Sequence, residues 1–205
     1  MQAARGTPLS TSRGHDTEDP RPGVPGRRRI LLFLVVVALS YATDVITKII
    51  AVARLEGPPV KTVTVIPNVL DLTLVRNSGA AFGIATGFTV ILTMIAVGVC
   101  LVVLRMVTRL RDPLWTVALG LLLGGALGNL TDRFAREPGP MRGHVIDFFQ
   151  LPHWPVFNIA DCCVSIAAVM IAVQSFRGVG LDGRRVGHGA DARSEPDDGA
   201  ASDDT

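Results

Sequence analysis

Asp147 and Asp161 stand in Gly-His-Val-Ile-Asp-Phe-Phe and Phe-Asn-Ile-Ala-Asp, one just before and one just inside the last long apolar run of the chain. A carboxylate beside hydrocarbon is expensive to hold and marks a place where chemistry or transport happens. Two carboxylates that approach one another cannot both ionise cheaply, so one pKa rises and the pair shares a proton. That state supplies a general base and a general acid together, the logic of aspartic proteases. Alone, neither residue decides the matter. Asp147 could be a turn residue, and Asp161 a first-turn aspartate favoured by the helix dipole. The chain offers no rival nucleophile arrangement: no Gly-x-Ser-x-Gly, no Cys paired with a plausible His, and no His-Glu-x-x-His helix. His144 and His153 read as outer-loop surface residues.

The elements that must position this pair are membrane spans. Hydrophobic residues make up 48% of the 205, too apolar for an ordinary soluble domain of this size. Aromatics are only 5%, so the excess is Leu, Val, Ile and Ala, the residues of bilayer-facing helices. Four segments, roughly 30–52, 87–105, 114–132 and 156–176, approach the ~20 residues that cross a hydrocarbon core. Arg27-Arg28-Arg29 before an apolar run imitates a signal peptide, but apolar character resumes past Asp44 and Lys48 and three further spans follow, so the first span reads as retained. Cys100, Cys162 and Cys163 all fall in these spans without CxxC or His-rich spacing, which argues against a disulfide framework or a zinc site. Residues 1–29 and 178–205 are rich in Gly, Pro, Arg, Ser or acidic residues and are expected to be disordered tails around a 30–177 membrane domain.

Arginines fix the orientation. Arg27–Arg29, the group Arg105, Arg109 and Arg111, and the group Arg177, Arg184 and Arg185 all fall on one side of a chain that crosses four times. The positive-inside rule places both termini and the 105–113 link in the cytoplasm, and both aspartates at the extracytoplasmic edge. In the outer connection 53–86, Val63, Val65, Leu70, Leu72 and Leu74 alternate with Thr62, Thr64, Asp71 and Thr73, a period of two that predicts short strands turning at Pro67-Asn68. In the third span, Gly120, Gly124 and Gly128 form a small-residue stripe for close helix packing. Asn129, Asp132 and Arg133 follow on one face, either as a polar helix end with an Asp–Arg pair or as donors aimed into a cavity. Asp44 and Lys48, four residues apart in the first span, can neutralise one another.

Five blocks occur in order: Asp44-x-x-x-Lys48, Arg76-Asn77-x-Gly79-Ala80-Ala81-Phe82-Gly83, Gly128-Asn129-x-x-Asp132-Arg133, Gly143-x-Val145-x-Asp147-Phe148, and Phe157-Asn158-x-Ala160-Asp161. On these the chain resembles the lipoprotein signal peptidases, the bacterial signal peptidase II family of intramembrane aspartic proteases, over about 40–165. The resemblance implies a four-transmembrane-helix bundle with a small extracytoplasmic β-cradle between helices 1 and 2. It implies Asp147 and Asp161 as the catalytic dyad, activating a water against the peptide bond on the amino side of a diacylglyceryl-modified cysteine in a prolipoprotein. Asn129 and Arg133 would contact substrate backbone, Asn77 and Gly79 would line the site, Asn158 would support the dyad, and Asp44 and Lys48 would brace the pocket. No metal or organic cofactor and no nucleic acid are expected; the partners are the prolipoprotein and membrane lipid, and the enzyme would act as a monomer in the bacterial cytoplasmic membrane. Two other classes remain. A small ion- or proton-coupled transporter would use intramembrane carboxylates as relays, but would favour internal repeats and midplane polar residues. A non-catalytic assembly subunit would tolerate Asp→Asn replacement.

Overall fold

A computed structural model of the chain describes residues 26–79 and 87–185. Four helices carry the apolar runs: α1 (Arg27–Leu55), α2 (Gly87–Val107), α3 (Pro113–Ala135) and α4 (Ile159–Phe176). All four are long and apolar enough to cross a membrane. In lipid each backbone N–H and C=O must be satisfied within the segment, which is why uninterrupted Leu/Val/Ile/Ala runs become helices here. The most buried 18-residue stretch tells which helix is central: 61% of α3's apolar window is buried, against 17–22% for the other three. Leu31, Leu39, Ile49, Ile95, Leu101 and Val169 instead present their side chains outward, as lipid-facing residues do.

The glycine stripe fits α3 against α1. A Cβ on Gly120 would meet Val36 Cγ1 at 2.9 Å, one on Gly124 would collide with the Ser40 hydroxyl, and one on Gly128 would enter the Asp44 carboxylate. Gly125, on the next face, lets α4 approach: its Cβ would lie 2.7 Å from the Ala160 carbonyl. Asp112 caps α3 by accepting from Trp115 N at 2.9 Å, and Pro113 occupies the first turn, where its missing N–H costs nothing.

The alternating segment forms β1 (Val63–Ile66) and β2 (Leu70–Asn77), antiparallel, with Asn68 at φ 61° in the turn between them. The sheet has a third strand, β3 (Val145–Gln150), antiparallel to β2 with Val75 opposite Asp147 and Asn77 opposite Val145. The cradle therefore draws on the connection between α3 and α4 as well as on that between α1 and α2. Asp147 is a strand residue, not a turn residue. Its strand neighbours Ile146 and Phe148 face a small core with Ala51 and Leu55 of α1.

The ordered domain reaches further at both ends than composition suggested. Arg27–Arg29 form the first turn of α1. Residues 178–185 fold back onto the α2–α3 link: Leu181 O accepts from Arg111 N and Asp112 N at 2.9 and 3.2 Å, and Val179 O accepts from Trp115 Nε1 at 2.9 Å. Leu181 packs on the main core, an apolar anchor that the surrounding Gly, Asp and Arg residues obscured. The remaining tail positions, 1–25 and 186–205, lie outside the described residues, as do Ala80, Ala81, Phe82 and Gly83 of the second sequence block. The sheet sits at the opposite end of the bundle from the α2–α3 link and its arginines.

Candidate active site

Asp147 is 2% exposed and held by two amides. Asn77 Nδ2 donates to its Oδ2 at 2.8 Å, and Asn158 Nδ2 donates to its Oδ1 at 2.6 Å. Asn77 is the last residue of β2, one strand away, and its own orientation is fixed by a turn: Gly79 N donates to Asn77 Oδ1 at 2.7 Å, so the NH2 must face Asp147. That turn needs Gly79, whose φ of +88° disfavours any side chain. A Cβ there would also press on Leu92 at 2.8 Å and on the Arg133 guanidinium at 3.2 Å. Burial pushes the Asp147 carboxyl from its ordinary 3.8 to about 6; the Asn77 amide pulls it back, the Asp161 charge adds to the rise, and Asn158 and Lys48 oppose it.

Asp161 comes from a different device. Asn158 caps α4, its Oδ1 accepting from Asp161 N at 3.0 Å, while Asp161 Oδ2 accepts from Asn158 N at 3.2 Å. This reciprocal capping box holds the carboxylate at the third helical position. Asn129 Nδ2 donates to the remaining oxygen, Asp161 Oδ1, at 3.0 Å. Asp161 is half-buried whereas Asn158 is fully buried, so Asn158 meets the Asp147 carboxylate with its side-chain NH2 and the Asp161 carboxylate with its backbone N–H, and leaves Asp161 accessible.

Behind the aspartates lies a buried charge cluster. Lys48 Nζ stands 2.8 Å from Asp44 Oδ2, an ion pair without hydrogen-bond alignment, and 2.9 Å from Asp132 Oδ2. It also donates to Asn129 Oδ1 at 2.9 Å. Arg136 pairs with Asp132 Oδ1 one turn along α3, making two cations and two anions, and the cluster is neutral as a whole. Asp44 Oδ1 accepts from Ala160 N at 2.9 Å and so satisfies a free N–H at the start of α4. Asp132 Oδ2 accepts from Ile146 N at 3.2 Å and ties β3 to α3, one residue from Asp147.

The expected Asp44–Lys48 pair is present, whereas Asp132 takes Lys48 and Arg136 as its partners, with Arg133 turned elsewhere. Arg133 reaches over the end of α3 and donates to the carbonyls of Asn77 at 3.2 Å and Gly143 at 3.0 Å. Gly143 has to be glycine, since a Cβ would strike the carbonyls of Asp132 and Arg136 at the end of α3. Asn129 is engaged with Lys48, Asn158 and Asp161, so its amide is already committed within the protein. All nine residues singled out from sequence thus converge on one end of the bundle. Asp132 as the strap to β3 is the residue sequence reasoning underrated; the 132/136 spacing, i and i+4 on a helix, was the readable signal. His153 is exposed on the α4 approach, and all three cysteines are free thiols.

Comparison with known proteins agrees with the geometry. A model of the signal peptidase (SPase) II family matches residues 36–177. The lipoprotein signal peptidase of Rhodococcus jostii (strain RHA1) is 50% identical over 168 residues, covering 82% of this chain and 83% of that protein. That of Mycobacterium tuberculosis (strain ATCC 25618 / H37Rv) is 48% identical over 170 residues, covering 82% of each. A solved bacterial membrane enzyme, determined by the in meso method at 1.9 Å resolution, superposes with a TM-score of 0.61 at 28% identity, covering 75% of this chain and 96% of that one. The family match runs from the first half of α1 past the end of α4 and takes in both aspartates and every residue bonded to them; the chain belongs to the signal peptidase II family.

Proposed function

We propose that the chain removes signal peptides from prolipoproteins as an intramembrane aspartic endopeptidase with Asp147 and Asp161 as its dyad. The observation that carries this reading is the shared amide of Asn158, which touches Asp147 and caps the turn bearing Asp161. Burial favours the proton on Asp147, in the amide cage between β2 and α4. The other carboxylate takes a proton from a water held between the pair, and the resulting hydroxide attacks the scissile carbonyl. Asp147 donates its proton to the developing oxyanion, and the tetrahedral intermediate collapses as the leaving nitrogen is protonated. Arg133, at the mouth beside Gly79, offers its remaining N–H groups to substrate backbone. Asn129 acts mainly by orienting Asp161, while Asp44 and Lys48 brace the helices beneath.

The substrate is a diacylglyceryl-modified prolipoprotein, cut on the amino side of the lipidated cysteine. Its lipid anchors the scissile bond at the outer interface, which is where the sheet end of the bundle lies when the arginine-rich ends face the cytoplasm. One chain supplies every residue of the site, so a monomer suffices. A transporter is not supported, because the family match and the curated relatives are signal peptidases. The test is a gel-shift cleavage assay in detergent with the modified precursor, its unmodified form, and the Asp147→Asn and Asp161→Asn variants. Cleavage of the modified precursor alone, lost in both inserted variants, is expected. Substantial activity in either variant would remove that aspartate from the dyad.

A further inference from the structure

Between the last turns of α1 and the sheet lies an apolar cavity of about 400 Å³, lined by Ala51, Leu55, Val63, Leu72 and Phe148, with Arg54 at its rim. Phe148 and Phe149 line the cavity, whereas Asp147, beside them in β3, is turned to Asn77 and Asn158 and lies outside the lining. Arg54 is exposed, and its guanidinium enters none of the ion pairs or side-chain hydrogen bonds among the described residues. An unpaired cation over an apolar hole calls for a ligand with an acyl chain and an anionic head.

Depth identifies the ligand's source. At 1.5 Å per residue, helix α1 is about 43 Å long, longer than a hydrocarbon core of about 30 Å and close to the full bilayer with its headgroups. With Arg27–Arg29 in one headgroup layer, Arg54 in the last turn reaches the opposite one. We infer that the cavity holds an acyl chain of an anionic phospholipid whose phosphate pairs with Arg54. The diacylglyceryl group of the proposed substrate carries no charge to answer Arg54, which separates this site from the cleavage cleft. The bound chain fills the space behind β3 and supports the strand that carries Asp147.

Native mass spectrometry of the full chain in a neutral detergent tests this, with dioleoyl phosphatidylglycerol as the probe and uncharged dioleoylglycerol as the control. One phosphatidylglycerol is expected to be retained by the wild type, and Arg54→Gln should weaken retention about fivefold, the effect of one basic residue near an anionic lipid surface. Dioleoylglycerol should bind weakly and equally to both. Ala51→Leu, which fills the cavity and leaves Arg54 in place, should also lower phosphatidylglycerol retention. Cleavage in neutral detergent should stay at the wild-type level in Arg54→Gln, since Arg54 touches neither aspartate. Equal phosphatidylglycerol retention by wild type and Arg54→Gln would overturn the site. Dioleoylglycerol retained as well as phosphatidylglycerol would overturn it too, and would hand the cavity to the substrate's lipid instead.

Discussion

The Asp147 carboxyl should titrate near pH 6, and two substitutions should move it in opposite directions. Its rise from 3.8 to about 6 is led by burial, with the neighbouring Asp161 charge pushing the same way and the Asn77 amide pulling back. A shift of this size amounts to about 3 kcal/mol of preference for the protonated form. Asn77→Ala removes a donor to the charged form, a bond worth roughly 1.5–3 kcal/mol, so the pKa should climb further by about one unit once relaxation and water entry are allowed for. Asp161→Asn removes the like charge and should lower it. The sign for stability follows: the folded state keeps a proton that the unfolded chain has lost between pH 3.8 and about 6, so stability falls as pH rises through that window. The assay is carboxyl 13C NMR on Asp-labelled protein in micelles, with Asp147 assigned by the signal lost in Asp147→Asn. A wild-type midpoint near 4, or a rise in Asp161→Asn, would refute both the burial argument and the coupling of the pair.

The buried charge cluster beneath the two aspartates makes further predictions. Lys48→Met leaves Asp44 and Asp132 buried without their shared cation, which should cost about 3–5 kcal/mol and show as a large fall in thermal midpoint; adding Asp44→Asn should recover part of it. Gly128→Ala puts a methyl into the Asp44 carboxylate and should cost about 1–3 kcal/mol, whereas Gly98→Ala in α2, with nothing within 4 Å, should be neutral or stabilising in the same thermal scan. Asn158→Ala should lose about 1 kcal/mol of capping and at least about 100-fold in activity through a misplaced dyad. Asn158→Ser can cap α4 but cannot reach Asp147, so it should restore stability and leave activity low; recovery of both would reduce Asn158 to a helix cap.

The spans were readable because a run of about twenty apolar residues has one main physical solution in a bilayer, and the hairpin because period-two alternation and Pro67-Asn68 are local signals. Strand β3 was not, because Val145, Ile146, Phe148 and Phe149 surround Asp147 without alternation and the partner strand β2 lies some seventy residues upstream. Its pairing is a long-range fact that no local pattern states. The order 178–185 was hidden for a similar reason: two apolar residues, Val179 and Leu181, anchor a segment whose composition is otherwise that of a tail. Asp132 and Arg133 were recognised as polar residues at the end of a span. Adjacent residues on a helix point about 100° apart, and that angle sends Asp132 to Lys48 and β3 while Arg133 goes to the carbonyls of Asn77 and Gly143.

The two aspartates look equivalent in sequence, each a carboxylate at the edge of an apolar run, but they are held by opposite means. Asp147 sits on a strand, fully buried, with both oxygens taken by side-chain amides from two other elements. Asp161 sits in the first turn of a helix and is open on one side, with its oxygens met by a backbone N–H and by Asn129. In the proposed pair this inequality gives the shared proton a preferred owner, the buried Asp147. The bundle creates it by bringing a sheet edge against a helix N-terminus, and Asn158 is the residue where those two surfaces meet. Its oxygen belongs to the helix and its NH2 to the strand, so the cap that starts α4 also sets the distance between the carboxylates. Packing that shifts α4 along α3 therefore shifts Asp161 relative to Asp147, and Gly125, which admits the Ala160 carbonyl, fixes that packing as firmly as any polar residue in the site.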